Sequence, residues 1–147
     1  MTNWIFVMIA ALSGAAMALQ GTLNTALGKI VGVWESTLIV HVVGALAALG
    51  VVLCVGGGMN RFSNLGQAPW YVFLGGVLNV IIVYAVIRSM DKIGVGNATT
   101  AIIVAQVSTA ILIDALGAFG MKKFEFHYLD ILGIVLLATG ARILLMD

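Results

Sequence analysis

Five long apolar stretches alternate with short polar breaks along this sequence. They run from about Trp4 to Leu27, Trp34 to Val55, Pro69 to Arg88, Asn97 to Leu116 and His127 to Leu145. A helix that crosses a bilayer needs roughly 20 consecutive, mostly apolar residues. Each stretch meets or approaches that length, and none shows the period-two alternation of a strand. The pattern predicts an all-α membrane protein with five transmembrane helices in a single domain, residues 1–147.

The breaks carry helix-end chemistry. Lys29 and Gly32 mark the first exit, and Glu35 opens the second helix, where the helix dipole favours a carboxylate. Gly56-Gly57-Gly58 closes that helix. The loop from Met59 to Ala68 holds Asn60, Arg61, Ser63 and Asn64. Pro69 suits a first turn. Trp4, Trp70 and Tyr71 suit the membrane interface. Ser89 to Gly96 reads as a tight connection bearing Asp91 and Lys92, and Asn97 as an N-cap. Gly117 and Gly120 close the fourth helix before Lys122, Lys123 and Glu125. Small residues recur at helical spacing: Ala11, Gly14, Ala15 and Ala18, then Gly44, Ala45 and Ala48, then Gly75 and Gly76, then Gly133 and Gly140. Such faces let helix backbones approach closely.

Composition agrees. The chain is 62% hydrophobic and 9% charged, against roughly 25% charged in soluble domains. Mean hydropathy is +1.15. A net charge of +1 offers nucleic acid no electrostatic footprint. The single Cys54 excludes an intrachain disulfide and reads as a small hydrophobe. No Lys or Arg precedes Lys29, so the first stretch is expected to stay as a membrane helix rather than leave as a signal peptide.

Polar residues inside the spans are the candidate chemistry, because each is costly unless it faces protein, water or a ligand. Gln20 and Asn24 lie four residues apart, so they share one face of the first helix. Asn79 and Gln106 fall near the middle of the third and fourth. These four are candidate cavity-lining residues; ties between helices are the other use of such amides. His41, Asp114 and Glu35 are the candidate ionisable coupling groups. His41 titrates ordinarily near neutrality, Asp114 lies close to the far end of the fourth helix, and Glu35 fits an interfacial cap. His41 and His127 have no ligand-spaced partners, so neither a metal nor a cofactor is expected. Ser13 and Ser108 lack any nucleophile motif, and no phosphate-cradling loop is present. An enzyme is not expected.

On the side of the N-terminus lie Arg61, Lys122 and Lys123; on the other lie Lys29, Arg88, Lys92 and Arg142. Three against four accounts for all seven basic residues. Orientation is set by an asymmetry in such charges, and here there is almost none. Either copies insert both ways and pair antiparallel, or another cue fixes the orientation. In an antiparallel pair, Asp114 of one copy would lie at the depth of His41, Gln20 and Asn24 of the other.

The order Gln20-Gly21-x-x-Asn24-x-x-Leu27-Gly28, Gly44, Trp70 with Gly75-Gly76, Ile93-Gly94, Gln106 to Asp114 with Gly117, and Gly133 to Gly140 resembles the YdcZ-like family. This is a half-size, five-helix branch of the drug/metabolite transporter superfamily. The resemblance implies a transporter half in a bacterial inner membrane, and two inverted halves, identical or paired, forming a ten-helix unit. Two positions depart from the family pattern: Asp91 stands where proline is frequent, and Ala115 where histidine is frequent. The first helix has Ser13 and Gly14 at mid-depth and no acid, so the cation/proton exchange of small multidrug exporters is not implied.

The function expected is secondary transport of a small metabolite or drug-like solute by alternating access. The expected partners are that solute, the lipid bilayer and a second, inverted copy or a homologous half. A non-transporting accessory or assembly subunit is the alternative.

Overall fold

A computed structural model describes residues 4–54, 59–120 and 127–145. The sequence features placed on Val55, Gly56 to Gly58, Lys122, Lys123 and Glu125 lie outside the described residues. The described residues form five helices: α1 (Trp4–Val31), α2 (Val33–Cys54), α3 (Leu74–Ile93), α4 (Val95–Leu116) and α5 (Tyr128–Leu144). Two short 3-10 segments, Met59–Gln67 and Trp70–Phe73, lead into α3. No strand occurs among the described residues.

Four helical stretches are long and apolar enough to cross a membrane: Trp4–Val31, Val33–Cys54, Trp70–Ile93 and Val95–Leu116. The protein is thus an all-α membrane protein with at least these four candidate spans. The described part of α5 has 17 residues, roughly 26 Å of helix against a hydrocarbon core of about 30 Å.

Two helices are longer than the polarity of their ends suggests. α1 continues past Leu27 to Val31, and α3 continues past Arg88 to Ile93. Packing explains both. Val83, Ile87 and Met90 are buried at spacings of four and three along α3, so a single helical face extends through the expected turn. Asp91 then comes within 3.8 Å of Lys29 on α1. Asn97 is inside α4 rather than its N-cap, which is Gly94. The α3–α4 break therefore narrows to a single residue.

The chain divides into two units, residues 1–92 and 93–147. In the first, α1 and α2 pack side by side across a one-residue corner at Gly32. Gly32 has φ +99, a conformation open to glycine and strained for other residues. Its N–H donates to the Gly28 carbonyl and its carbonyl accepts from the Ser36 N–H, both at 3.0 Å, so the corner leaves neither group unpaired. The Glu35 carboxylate occupies the place where a Cβ would project. Gly32→Ala is expected to destabilise the protein by about 1–3 kcal/mol. Reversible unfolding in mixed detergent micelles would measure this, and a loss within error of zero would contradict the corner geometry.

The core of this unit is unusually polar and small. From α1 it takes Gly21, Asn24 and Thr25, from α2 Ser36 and Thr37, and from α3 Val83, Ile87 and Met90. In lipid, bulky apolar side chains gain little by facing inward, while small residues permit close backbone contact. Each buried hydroxyl is satisfied. Thr25 donates to the Gly21 carbonyl at 2.7 Å and Thr37 to the Val33 carbonyl at 2.8 Å. Ser36 reaches across to the Asn24 carbonyl at 3.0 Å, tying α2 to α1.

In the second unit, α4 packs against α5. Ile103 and Val104 face Leu136, Leu137 and Ala141 around a cavity of about 290 Å³. α4 ends at Gly117, whose left-handed conformation (φ +60) directs its N–H back to the Asp114 carbonyl at 3.2 Å. α5 begins after His127, whose N–H donates to the Asp130 carboxylate at 2.8 Å; this is the reciprocal half of a capping box.

Candidate functional site

The residues of the first unit that the sequence singled out do not all fall together. His41 and Asn79 do. The Asn79 Nδ2 lies 3.0 Å from His41 Nε2, and His41 Nδ1 lies 2.7 Å from the Thr37 carbonyl oxygen. A carbonyl only accepts, so Nδ1 carries the proton. Nε2 is then the acceptor of a neutral ring, and the Asn79 amide donates to it. Both ring nitrogens are occupied, and the tautomer is set by the backbone of the helix that carries the ring.

This constellation follows from local sequence. Thr37 precedes His41 by four residues, so its carbonyl lies directly beneath the ring on one face of α2. Asn79 sits near the middle of the stretch Trp70–Ile93. His41 is half-buried and Asn79 exposed. The pair thus ties α2 to α3 well inside the apolar spans, with the outer side of the amide open.

The other candidates are placed separately. Gln20 is exposed while Asn24 is buried. The buried stripe of α1 runs through Gly21, Asn24 and Thr25, and Gln20 stands at its edge. Asn24 meets α2 through its backbone, accepting from Ser36. Glu35 folds back on Gly32 at the corner. In the second unit, Gln106 and Asp114 are exposed on α4. The Asp114 carboxylate sits at a helix C-terminus, where the dipole disfavours it, and forms no ion pair among the described residues. The Ser108 hydroxyl donates to the Val104 carbonyl at 2.8 Å. No cluster of three metal-ligating side chains occurs among the described residues.

Sequence reasoning missed several features. Thr37 sets the His41 tautomer, and the i−4 spacing could have revealed it. Trp34 stacks on Tyr84 with ring centroids 4.2 Å apart and planes 24° from parallel. Lys29, Arg88 and Asp91 meet around an open cavity of about 360 Å³ at the α1–α2 corner. Thr99, early in α4, buries its hydroxyl without a hydrogen-bond partner. None of these follows from one helix alone except the Thr37 contact.

Comparison with known proteins adds one finding. Residues 5–143 match the family model DMT_YdcZ, described as "Putative inner membrane exporter, YdcZ". No curated protein and no solved structure matches the chain. A match of nearly the whole length joins a chain of long apolar helices with polar residues inside them to a family of membrane transporters. The chain belongs to the YdcZ family and is a multi-pass protein of the inner membrane.

Proposed function

We propose that this protein is half of a secondary transporter that moves a small metabolite or drug-like solute by alternating access, and that a second, inverted copy completes it. The observation that carries the reading is the His41–Asn79 pair. A titratable ring is held in one tautomer within the span by a partner that can reverse its hydrogen-bonding role. A proton on Nε2 would turn it into a donor facing another donor. Rotating the Asn79 amide by half a turn would then present Oδ1 instead. The pair is a two-state element that a proton can bias.

The polar contacts of the ring are the Thr37 carbonyl and the Asn79 amide. Along α2, Glu35 lies six residues away, roughly 9 Å by helical rise. Tyr84 and Arg88 on α3 and Lys29 on α1 lie toward the α1–α2 corner. Asn79, Gln20, Asn24 and, from α4, Gln106 are the proposed polar lining. Asp114 from the inverted copy is the proposed carboxylate across the cavity.

The near-even basic charge supports insertion in both orientations. The glycine faces support a second copy. A Cβ at Gly14, Gly44, Gly75, Gly76, Gly133 or Gly140 would meet nothing within 4 Å. Within each unit these close-approach surfaces are open among the described residues. Transporters built as inverted repeats place the solute site at the repeat interface near the midplane, and a half-size chain supplies both repeats by pairing antiparallel. In this arrangement α5 is the fifth span.

Two measurements test the proposal. C-terminal reporters active on opposite sides of the membrane are expected to give signal on both; signal on one side alone overturns the inverted homodimer and points to a paired homologous half. Proteoliposomes are expected to show solute flux across a panel of small metabolites and drug-like solutes. An accessory subunit would show none, and Asn79→Leu would then change only stability.

A further inference from the structure

The cavity at the α1–α2 corner has no part in the transport reading, and its chemistry differs from that of the His41–Asn79 pair. It holds about 360 Å³. Two cations, Lys29 and Arg88, and one carboxylate, Asp91, stand on its rim, leaving one net positive charge. Its wall is the stacked pair Trp34 and Tyr84, 4.2 Å apart. Its floor is closed by Ile87, which is 1% exposed.

The cations are held near the cavity with donors to spare: Arg88 gives one hydrogen bond to the Tyr84 hydroxyl and keeps its other N–H groups. Lys29 Nζ is 3.8 Å from Asp91 and Lys92 Nζ is 4.0 Å from the same carboxylate, both beyond hydrogen-bond length. Arg88 is fully exposed, its guanidinium carbon 6.0 Å from the centroid of the Tyr84 ring. Val33 and Trp34, the first residues of α2, also line the cavity, and the Glu35 carboxylate folded onto Gly32 offsets the positive end of that helix dipole, leaving Arg88 and Lys29 as the source of the positive potential. The apolar spans end here, and the aromatic pair suits the depth of lipid headgroups. Basic pockets between helices at that depth select phosphate-bearing groups.

We propose that this cavity is an anion site that binds a phosphate group, with Arg88 and Lys29 as its donors and Asp91 as the group that keeps Lys29 in place when the site is empty. The phosphate belongs either to an anionic lipid headgroup or to a small soluble phosphate; the recognition chemistry is shared.

The test uses the full-length protein in detergent micelles with Trp4→Phe and Trp70→Phe, so that Trp34 alone reports. It is titrated with phosphatidylglycerol, phosphate-free diacylglycerol and inorganic phosphate. Phosphatidylglycerol is expected to change Trp34 fluorescence saturably. Arg88→Gln is expected to weaken that binding about tenfold, the scale of one lost charge-assisted hydrogen bond. Asp91→Asn is expected to tighten it, because a competing negative charge leaves the rim; a gain of affinity is not a consequence of misfolding. Saturation by phosphatidylglycerol but not inorganic phosphate assigns the lipid source. Equal response to inorganic phosphate assigns the soluble one. Equal response to phosphatidylglycerol and phosphate-free diacylglycerol, or unchanged binding in Arg88→Gln, overturns the site.

Discussion

Truncating Ile87 to alanine is expected to destabilise the protein by about 2–5 kcal/mol, in the range of large-to-small changes in tight cores. Ile87 is 1% exposed, and its Cγ2 lies 2.9 Å from where a Cβ on Gly28 would project. Lipid takes the place of water for the separated helices, so the loss is mainly of dispersion contacts rather than of hydrophobic burial. The reciprocal change, Gly28→Ala, is expected to cost about 1–3 kcal/mol by overpacking. A β-branched neighbour has a stiff χ1 and yields poorly. At Gly21 the nearest atom is the Met90 terminal methyl, the far end of a flexible side chain that can move, with Val86 Cγ1 next at 3.0 Å. Combining Ile87→Ala with Gly28→Ala fills part of the cavity with the new methyl. The double variant is therefore expected to be more stable than the two single losses predict, by about 0.5–3 kcal/mol. Reversible unfolding in mixed micelles of the four proteins measures that coupling. Additivity would mean that the two residues do not share the contact.

This core shows what the sequence could and could not disclose. Four spans are legible because twenty apolar residues in a row have few alternatives in water. Which side of each span faces inward is not legible. Lipid is as apolar as leucine, so the usual separation of apolar inside from polar outside disappears. The buried stripe of α1 is Gly21, Asn24 and Thr25, while Leu19 and Leu23 are exposed. Helix ends were misplaced for a related reason. Ser89 to Gly96 is polar enough to read as a connection, yet Met90 is buried and Asp91 meets Lys29, both of which depend on a neighbouring helix.

The candidate site was legible in its residues and not in its pairing. His41 and Asn79 stand out as polar groups inside apolar spans. Their contact joins positions 38 apart in sequence and depends on the register between α2 and α3, which neither helix encodes alone. Gly14, Gly44, Gly133 and Gly140 read as packing faces, and among the described residues a Cβ at each would meet nothing within 4 Å. Glycine spacing marks where a backbone could approach, not which helix approaches or whether it belongs to the same copy.

Asn79→Leu is expected to separate stability from transport. One interhelical hydrogen bond between side chains in a membrane contributes about 0.6 kcal/mol, and rarely more than about 2. The variant should therefore fold, with a small loss measurable by unfolding in micelles. If the His41–Asn79 pair is the element a proton biases, flux should fall by roughly 5- to 150-fold, the range of one coupling free energy between sites. The pH profile of the remaining flux should flatten. His41→Leu should do the same, because either change removes one half of the switch, and the double variant should be no worse than the poorer single. Asn79→Gln retains both a donor and an acceptor on a longer stem and should recover part of the flux, whereas it could not do so if a bare apolar contact were all that the position required. Wild-type flux and pH profile in Asn79→Leu would reduce the pair to a tie between two helices. Loss of flux with an unaltered pH profile would leave Asn79 in the cavity wall and remove His41 from proton coupling.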